Sequence, residues 1–179
     1  MAATVKINRL TGAGPSYTDI TGINTRANAE DAHSTAGTTN SVLVPAAGTN
    51  YSFWVVTQLE VTAITAGTVN NLKWYTDGAN NFGTGVTCKV NTATTYVQAT
   101  GTTGTTGDQL TTSAYSTLAG TPVDAFGYTS GSPLSVTGTT SAVAKFGDRV
   151  VYQIEVASTA ASGASGQETF TWKYDDTSS

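Results

Sequence analysis

The sequence predicts an all-β protein: an antiparallel β-sandwich, jelly-roll-like, with long Gly/Thr-rich loops. Three observations lead there. Short runs alternate apolar and polar residues, the period-two signature of half-buried strands. Glycine, proline and Asp-Gly interrupt those runs roughly every 8 to 15 residues, as turns do in sandwiches. The composition suits strands and loops, not helices: 36 Thr, 19 Gly and 15 Ser stand against 7 Leu and 4 Glu. Low net charge, 16 aromatic residues and Val as the commonest large apolar residue separate the chain from a disordered one.

Residues 4–10 (TVKINRL) put Val5 and Ile7 on one face and Lys6 and Asn8 on the other, a strand closed by Gly12, Gly14 and Pro15. A short extended piece covers 17–20. Residues 23–40 hold only small or polar side chains after Ile23, and read as an exposed excursion with at most one helical turn at 27–32. Val42 and Val44 suggest a short strand before Pro45. Residues 51–64 (YSFWVVTQLEVTAI) are the strongest element. Tyr51, Phe53, Val55, Leu59, Val61 and Ala63 share one face, with Thr57 as its polar interruption. A run of 14 exceeds the usual strand, so a bend or bulge is expected midway.

Leu72 and Trp74 share a face in the next strand, 72–76, which Asp77-Gly78 ends. Val86, Cys88 and Val90 mark another, with 95–100 as an extension of the pairing. Residues 101–107 (GTTGTTG) begin a polar stretch to 117 that cannot bury enough apolar surface to order itself alone. Weak strands follow at 122–123, 126–128 and 134–136. Gly147-Asp148 reads as a turn into 149–157 (RVVYQIEVA), where Val150, Tyr152, Ile154 and Val156 face one side. The last strand, 168–174, places Phe170, Trp172 and Tyr174 together. No composition shift divides the chain, so residues 1–179 are expected to form one domain.

Charge excludes some functions. Eight Lys and Arg against twelve Asp and Glu leave a formal charge of -4 and no basic cluster, so no nucleic-acid partner is expected. No apolar run is long enough to span a membrane. One cysteine, Cys88, allows no internal disulfide and sits on an apolar strand face, as a small hydrophobe does. His33 is the sole histidine, beside Glu30 and Asp31; without further ligands or a G-x-S-x-G elbow it reads as a loop histidine. Glu60, Glu155 and Glu168 offer carboxylates for glycoside hydrolysis, but a solvated strand glutamate looks the same. No catalytic residue, metal or cofactor is therefore expected. Trp54 and Tyr75 fall opposite the apolar faces of their strands, and as exposed aromatics they would mark an interface with protein or sugar.

The start, MAATVKINRL, lacks the parts of a secretory signal, yet the Thr/Ser/Gly/Asn-rich composition looks extracellular. Virion components released by lysis combine the two. With its MAATVKI start, its Thr/Gly/Ala-rich loops and its two closing strands (DRVVYQIEVA and ETFTWKYDD), the sequence resembles head decoration (cement) proteins of tailed bacteriophages. That resemblance implies a non-enzymatic virion protein made in the host cytoplasm. Commonly a homotrimer, such a protein binds the capsid exterior and clamps the major capsid protein. Expected interface residues are Arg26, Asn28, Glu30 and His33 in the first long loop, Thr102 and Thr105 in the second, and Trp54 and Tyr75. The rival readings are a tail- or fibre-associated virion sandwich and a carbohydrate-binding module or adhesin-like domain, the latter requiring Trp54 and Tyr75 to line one groove.

Overall fold

In the computed structural model, which describes residues 2–177, strands form where alternation is strongest. β1 (Thr4–Thr11) and β2 (Ser16–Asp19) make a hairpin, and β1 pairs on its other side with β4 (Val55–Ala63). β4 pairs with β11 (Ala144–Ala157), β11 with β6 (Val86–Ala93), and β6 with the short β9 (Val123–Asp124). β3 (Thr49–Tyr51) continues the line of β4 along β11. A second sheet has the order β10 (Leu134–Ser135), β5 (Val69–Tyr75), β12 (Thr171–Asp176). β7 (Gly101–Thr102) and β8 (Thr106–Gly107) form a separate hairpin. All of these pairings are antiparallel, and the β-sandwich expected from the sequence is present, with seven strands facing three.

The long run at 51–64 breaks near its start and not midway, where β4 is continuous. Ser52 bonds through both its amide and its hydroxyl to Ile154, and the chain swings at 52–54 before β4 resumes. From β4, Val55, Leu59 and Val61 enter the core between the sheets. There they meet Leu72 and Trp74 of β5, Cys88 and Val90 of β6, and Val150, Tyr152, Ile154 and Val156 of β11. Phe170 closes this core from the far side, its ring 5.1 Å from Trp74 and 4.8 Å from Tyr152. The polar interruption at Thr57 is satisfied, because its hydroxyl donates to the Val150 carbonyl at 3.3 Å.

Several expectations need correction. No strand forms at 42–44, and 95–100 does not extend β6. Phe126 lies in a single 3-10 turn, Ala125–Gly127, which Asp124 caps by accepting from the Phe126 amide. Gly147 is no turn between elements. With φ of 72° it makes a bulge inside β11, and a Cβ there would come within 2.7 Å of Leu72. Only glycine permits both that conformation and that approach between the sheets.

The largest correction concerns residues 94–118. They pack as a third layer on the outer face of the large sheet, with Ala99, Leu110 and Tyr115 buried against Leu10, Trp54, Val56, Ala93 and Val151. Phe53, grouped with Val55 by alternation, also joins this outer cluster because of the break at 52–54. The centre of the seven-stranded sheet is thus buried on both faces, while its edge strands β2 and β9 stay largely exposed.

Candidate functional site

The two long loops meet at one end of the sandwich. A backbone bond joins them directly, the Gly104 amide donating to the Ala29 carbonyl at 2.8 Å, and within the first loop the Ala29 amide donates to the Asn40 carbonyl at 2.7 Å. The Phe53 amide bonds Asn28 at 2.9 Å, which pins the first loop to the start of β4. In the second loop the repeat GTTGTTG is a specific hairpin, with Thr102 opposite Thr106. Gly104, at φ of 78°, holds the left-handed turn position and faces Asn40, while a Cβ on Gly107 would fall 2.4 Å from the Ser52 carbonyl oxygen. Each glycine is required by a different physical constraint, the first by backbone conformation and the second by close approach.

Beneath this end lies Arg9, only 1% exposed. Its Nη1 donates to the Thr25 hydroxyl at 2.8 Å and the Arg26 carbonyl at 2.5 Å, while its Nε has no partner. Burial lowers its pKa, and the fields of Tyr152, Asp31, Glu30 and Tyr96 oppose that shift. Thr25 also meets His33 Nδ1 at 3.2 Å, so one hydroxyl links the buried cation to the chain's sole histidine. Burial, and then Arg9, push the His33 pKa below its ordinary value. Thr25 accepts from Arg9, so its proton is directed to a neutral His33 Nδ1.

Two carboxylates are held nearby by neutral donors. Glu30 accepts from Asn28 at 2.8 Å and Asn40 at 2.6 Å. Asp31 accepts from the Gly12 amide and from Gln98, each at 2.9 Å. Among the described residues neither takes part in an ion pair; those are Lys6–Asp19 and Lys145–Glu60. Glu30 and Asp31 line an open recess of about 480 Å³ with Phe53, Gln98, Thr100 and Thr103. Such a recess suits a basic or hydrogen-bond-donating group from a partner. Leu43, which is 51% exposed, bonds through its amide to the Thr105 carbonyl and adds an apolar element beside the hairpin.

The expected interface residues separate into groups. Arg26, Glu30 and His33 are half-buried on this end, and Thr102 and Thr105 are exposed there, so both loops contribute to one surface. Asn28 is a correction: fully buried, it donates to Glu30 from within and offers no contact surface. Trp54 is the second correction, 3% exposed, with its Nε1 donating to the Val97 carbonyl at 3.0 Å and its ring 5.6 Å from Tyr115. Tyr75 stays half-buried on the outer face of the three-stranded sheet. Trp54 and Tyr75 thus lie on opposite sides of the large sheet and do not line one groove.

Sequence reasoning missed Arg9, Asp31, Gln98 and Gln153. For Gln153 a signal existed: a long amide on the second face of the most apolar strand. Fully buried, it donates to the Ser52 and Asp108 carbonyls and accepts from the Leu110 amide, each at 2.7 Å. Among the described residues no group of His, Cys, Asp and Glu could hold a metal ion, and no helix is long and apolar enough to cross a membrane. No family model, no curated protein and no solved structure matches the chain.

Proposed function

We propose that this protein is a non-enzymatic structural component of a virion, a decoration protein that binds the outside of a phage head and stabilises the lattice of the major capsid protein. The observation that carries the reading is the loop-built end. Two long loops, tied to each other and to β4 by backbone hydrogen bonds, present Glu30, Asp31, Thr102, Thr105 and Leu43 on one ordered surface. Ordering before contact removes much of the entropy cost of docking. A sandwich whose main sheet is buried on both faces at its centre is a rigid carrier for such a surface.

A ligand that binds only the expanded, intact shell stabilises it by mass action. The resemblance brings a trimer with it, and symmetry-linked copies turn weak contacts into strong ones. The test is quantitative mass spectrometry of particles purified from the source lysate. A copy number comparable to that of the major capsid protein is the expected result. A handful of copies per particle moves the protein to the tail or a vertex, and absence from particles overturns the reading.

A further inference from the structure

We infer that the open edge of the three-stranded sheet, β12, pairs antiparallel with β12 of a second copy of this chain across a twofold axis. In the order β10, β5, β12, no strand among the described residues lies beyond β12. Exposed edges are usually blunted by brevity, charged side chains, proline, bulges or cover. β12 has six residues and no proline, and the irregularity in its pairing falls on β5, where Asn71 takes φ of 50°. Its outer edge is therefore regular but charged at Lys173, Asp175 and Asp176, and it suits only a strand whose charges complement it.

Two of the three charges on this strand, Lys173 and Asp175, can match each other across the axis, while Asp176 accepts from the Ala3 amide at 2.7 Å. Trp172 and Tyr174 pack toward the core, which leaves Lys173 and Asp175 on the outer face. Lys173 lies directly opposite Lys73 in the register of β12 with β5, a like-charge pairing that costs stability. Among the described residues neither lysine has an ion-pair partner; Lys73 donates to the Ser135 hydroxyl at 2.8 Å, and Asp175 accepts only from the Asn71 amide at 2.7 Å. An antiparallel pairing centred on Tyr174 sets each Lys173 opposite Asp175 of the second copy and each Thr171 opposite Thr177. Moving the axis one residue either way sets Lys173 against Lys173 or Asp175 against Asp175. Registers in between would turn the polar face of one copy toward the core side of the other. Only the register centred on Tyr174 pairs Lys173 with Asp175 on the outer face; on the core side it sets Trp172 opposite Asp176.

Such a contact is isologous, and it joins two three-stranded sheets into one continuous sheet. Edge pairing of this length buries less than a standard protein interface, so the association is weak and concentration-dependent. It does not rest on the decoration reading, and the two call for different assemblies: a twofold dimer through β12 here, and the trimer that the resemblance implies there.

The experiment is sedimentation equilibrium of the full chain over roughly 10 μM to 1 mM. A monomer–dimer equilibrium is expected, with amide exchange across 171–176 slowing as the protein concentration rises. Lys173→Asp and Asp175→Lys each weaken association by about tenfold or more, because each creates like-charge pairs across the axis. The double exchange, Lys173→Asp with Asp175→Lys, restores dimerisation, since the antiparallel register is symmetric in the two positions. Thermal melts verify folding of each variant, and if one single variant fails to fold, the other and the exchange data decide the question. A chain that stays monomeric at all concentrations, forms a trimer, or dimerises equally well in all variants overturns the inference.

Discussion

The two faces of the large sheet are covered by different means. On the inner face, strands pack on strands, and apolar residues at period two from β4, β5, β6 and β11 fill the space between. On the outer face the cover is a loop, 94–118, in which a few anchors sit among threonines and glycines. The inner face is held mainly by apolar area. The outer layer relies equally on directed polar contacts: Gln153 to Ser52, Asp108 and Leu110, Trp54 to Val97, Tyr115 to the Thr95 carbonyl and Tyr96 to the Gly12 carbonyl. A polar, low-complexity stretch can thus be well ordered when the sheet beneath supplies both apolar sockets and hydrogen-bond partners.

The difference is breakable, and the largest effect belongs to the inner face. Trp74→Ala removes a fully buried ring from the centre of the sandwich and should cost about 3–5 kcal/mol, seen as a lower midpoint in urea denaturation. Cooperative loss of the whole fold is expected, because both sheets meet at that ring. Survival with an unchanged midpoint would show that the two sheets are not one unit.

Next comes the outer layer. Gln153→Ala leaves the Leu110 amide and the Ser52 and Asp108 carbonyls without their partner, a penalty of roughly 2–4 kcal/mol. Hydrogen exchange should accelerate first at 108–115 while β11 and β4 stay protected, the pattern of a separately opening layer. Uniform acceleration across both faces would mean that the two layers open together.

The smallest effect is a matter of pH at the loop-built end. The His33 pKa is lowered in the folded state, so the unfolded chain binds more protons below about 6.5. The stabilisation from neutral His33 is complete above that value and is lost as pH falls through the folded pKa. Comparing the wild type with His33→Gln between about pH 7.5 and pH 5, the wild type should lose more stability. Equal loss in both proteins would exclude a coupling through Thr25 and Arg9. The Asp19 carboxylate, held near a pKa of about 2 first by Lys6 and then by Thr21, stays charged across this range and does not obscure it.

Much of the inner face was legible. Alternation placed β1, β5, β6 and β11, and the length of the run at 51–64 foretold a break but not its place, which is the start of the run. The loop-built end was half legible: composition marked both loops, while their meeting depends on backbone bonds between residues far apart in the chain, such as Gly104 to Ala29. Trp54 shows the limit. Its position opposite the sandwich core was read from parity, but parity names a face and not what covers it. Arg9 shows the same limit from the other side: alternation sets it on the face of Val5 and Ile7, and only the first loop, through Thr25 and Arg26, supplies the partners that let a cation be buried there.

By itself the sequence determined the strand-and-turn character of this protein, the residues of the inner core and the absence of a disulfide, because these follow from local periodicity and residue counts. Only the tertiary structure decided that threonine-rich loops become a packed layer, that Glu30 and Asp31 share a recess with Gln98, and that β12 ends the smaller sheet. Local pattern fixes which side chains alternate. Burial of the second face and exposure of an edge depend on which distant segments arrive there, and that choice is made by the summed free energy of the whole fold.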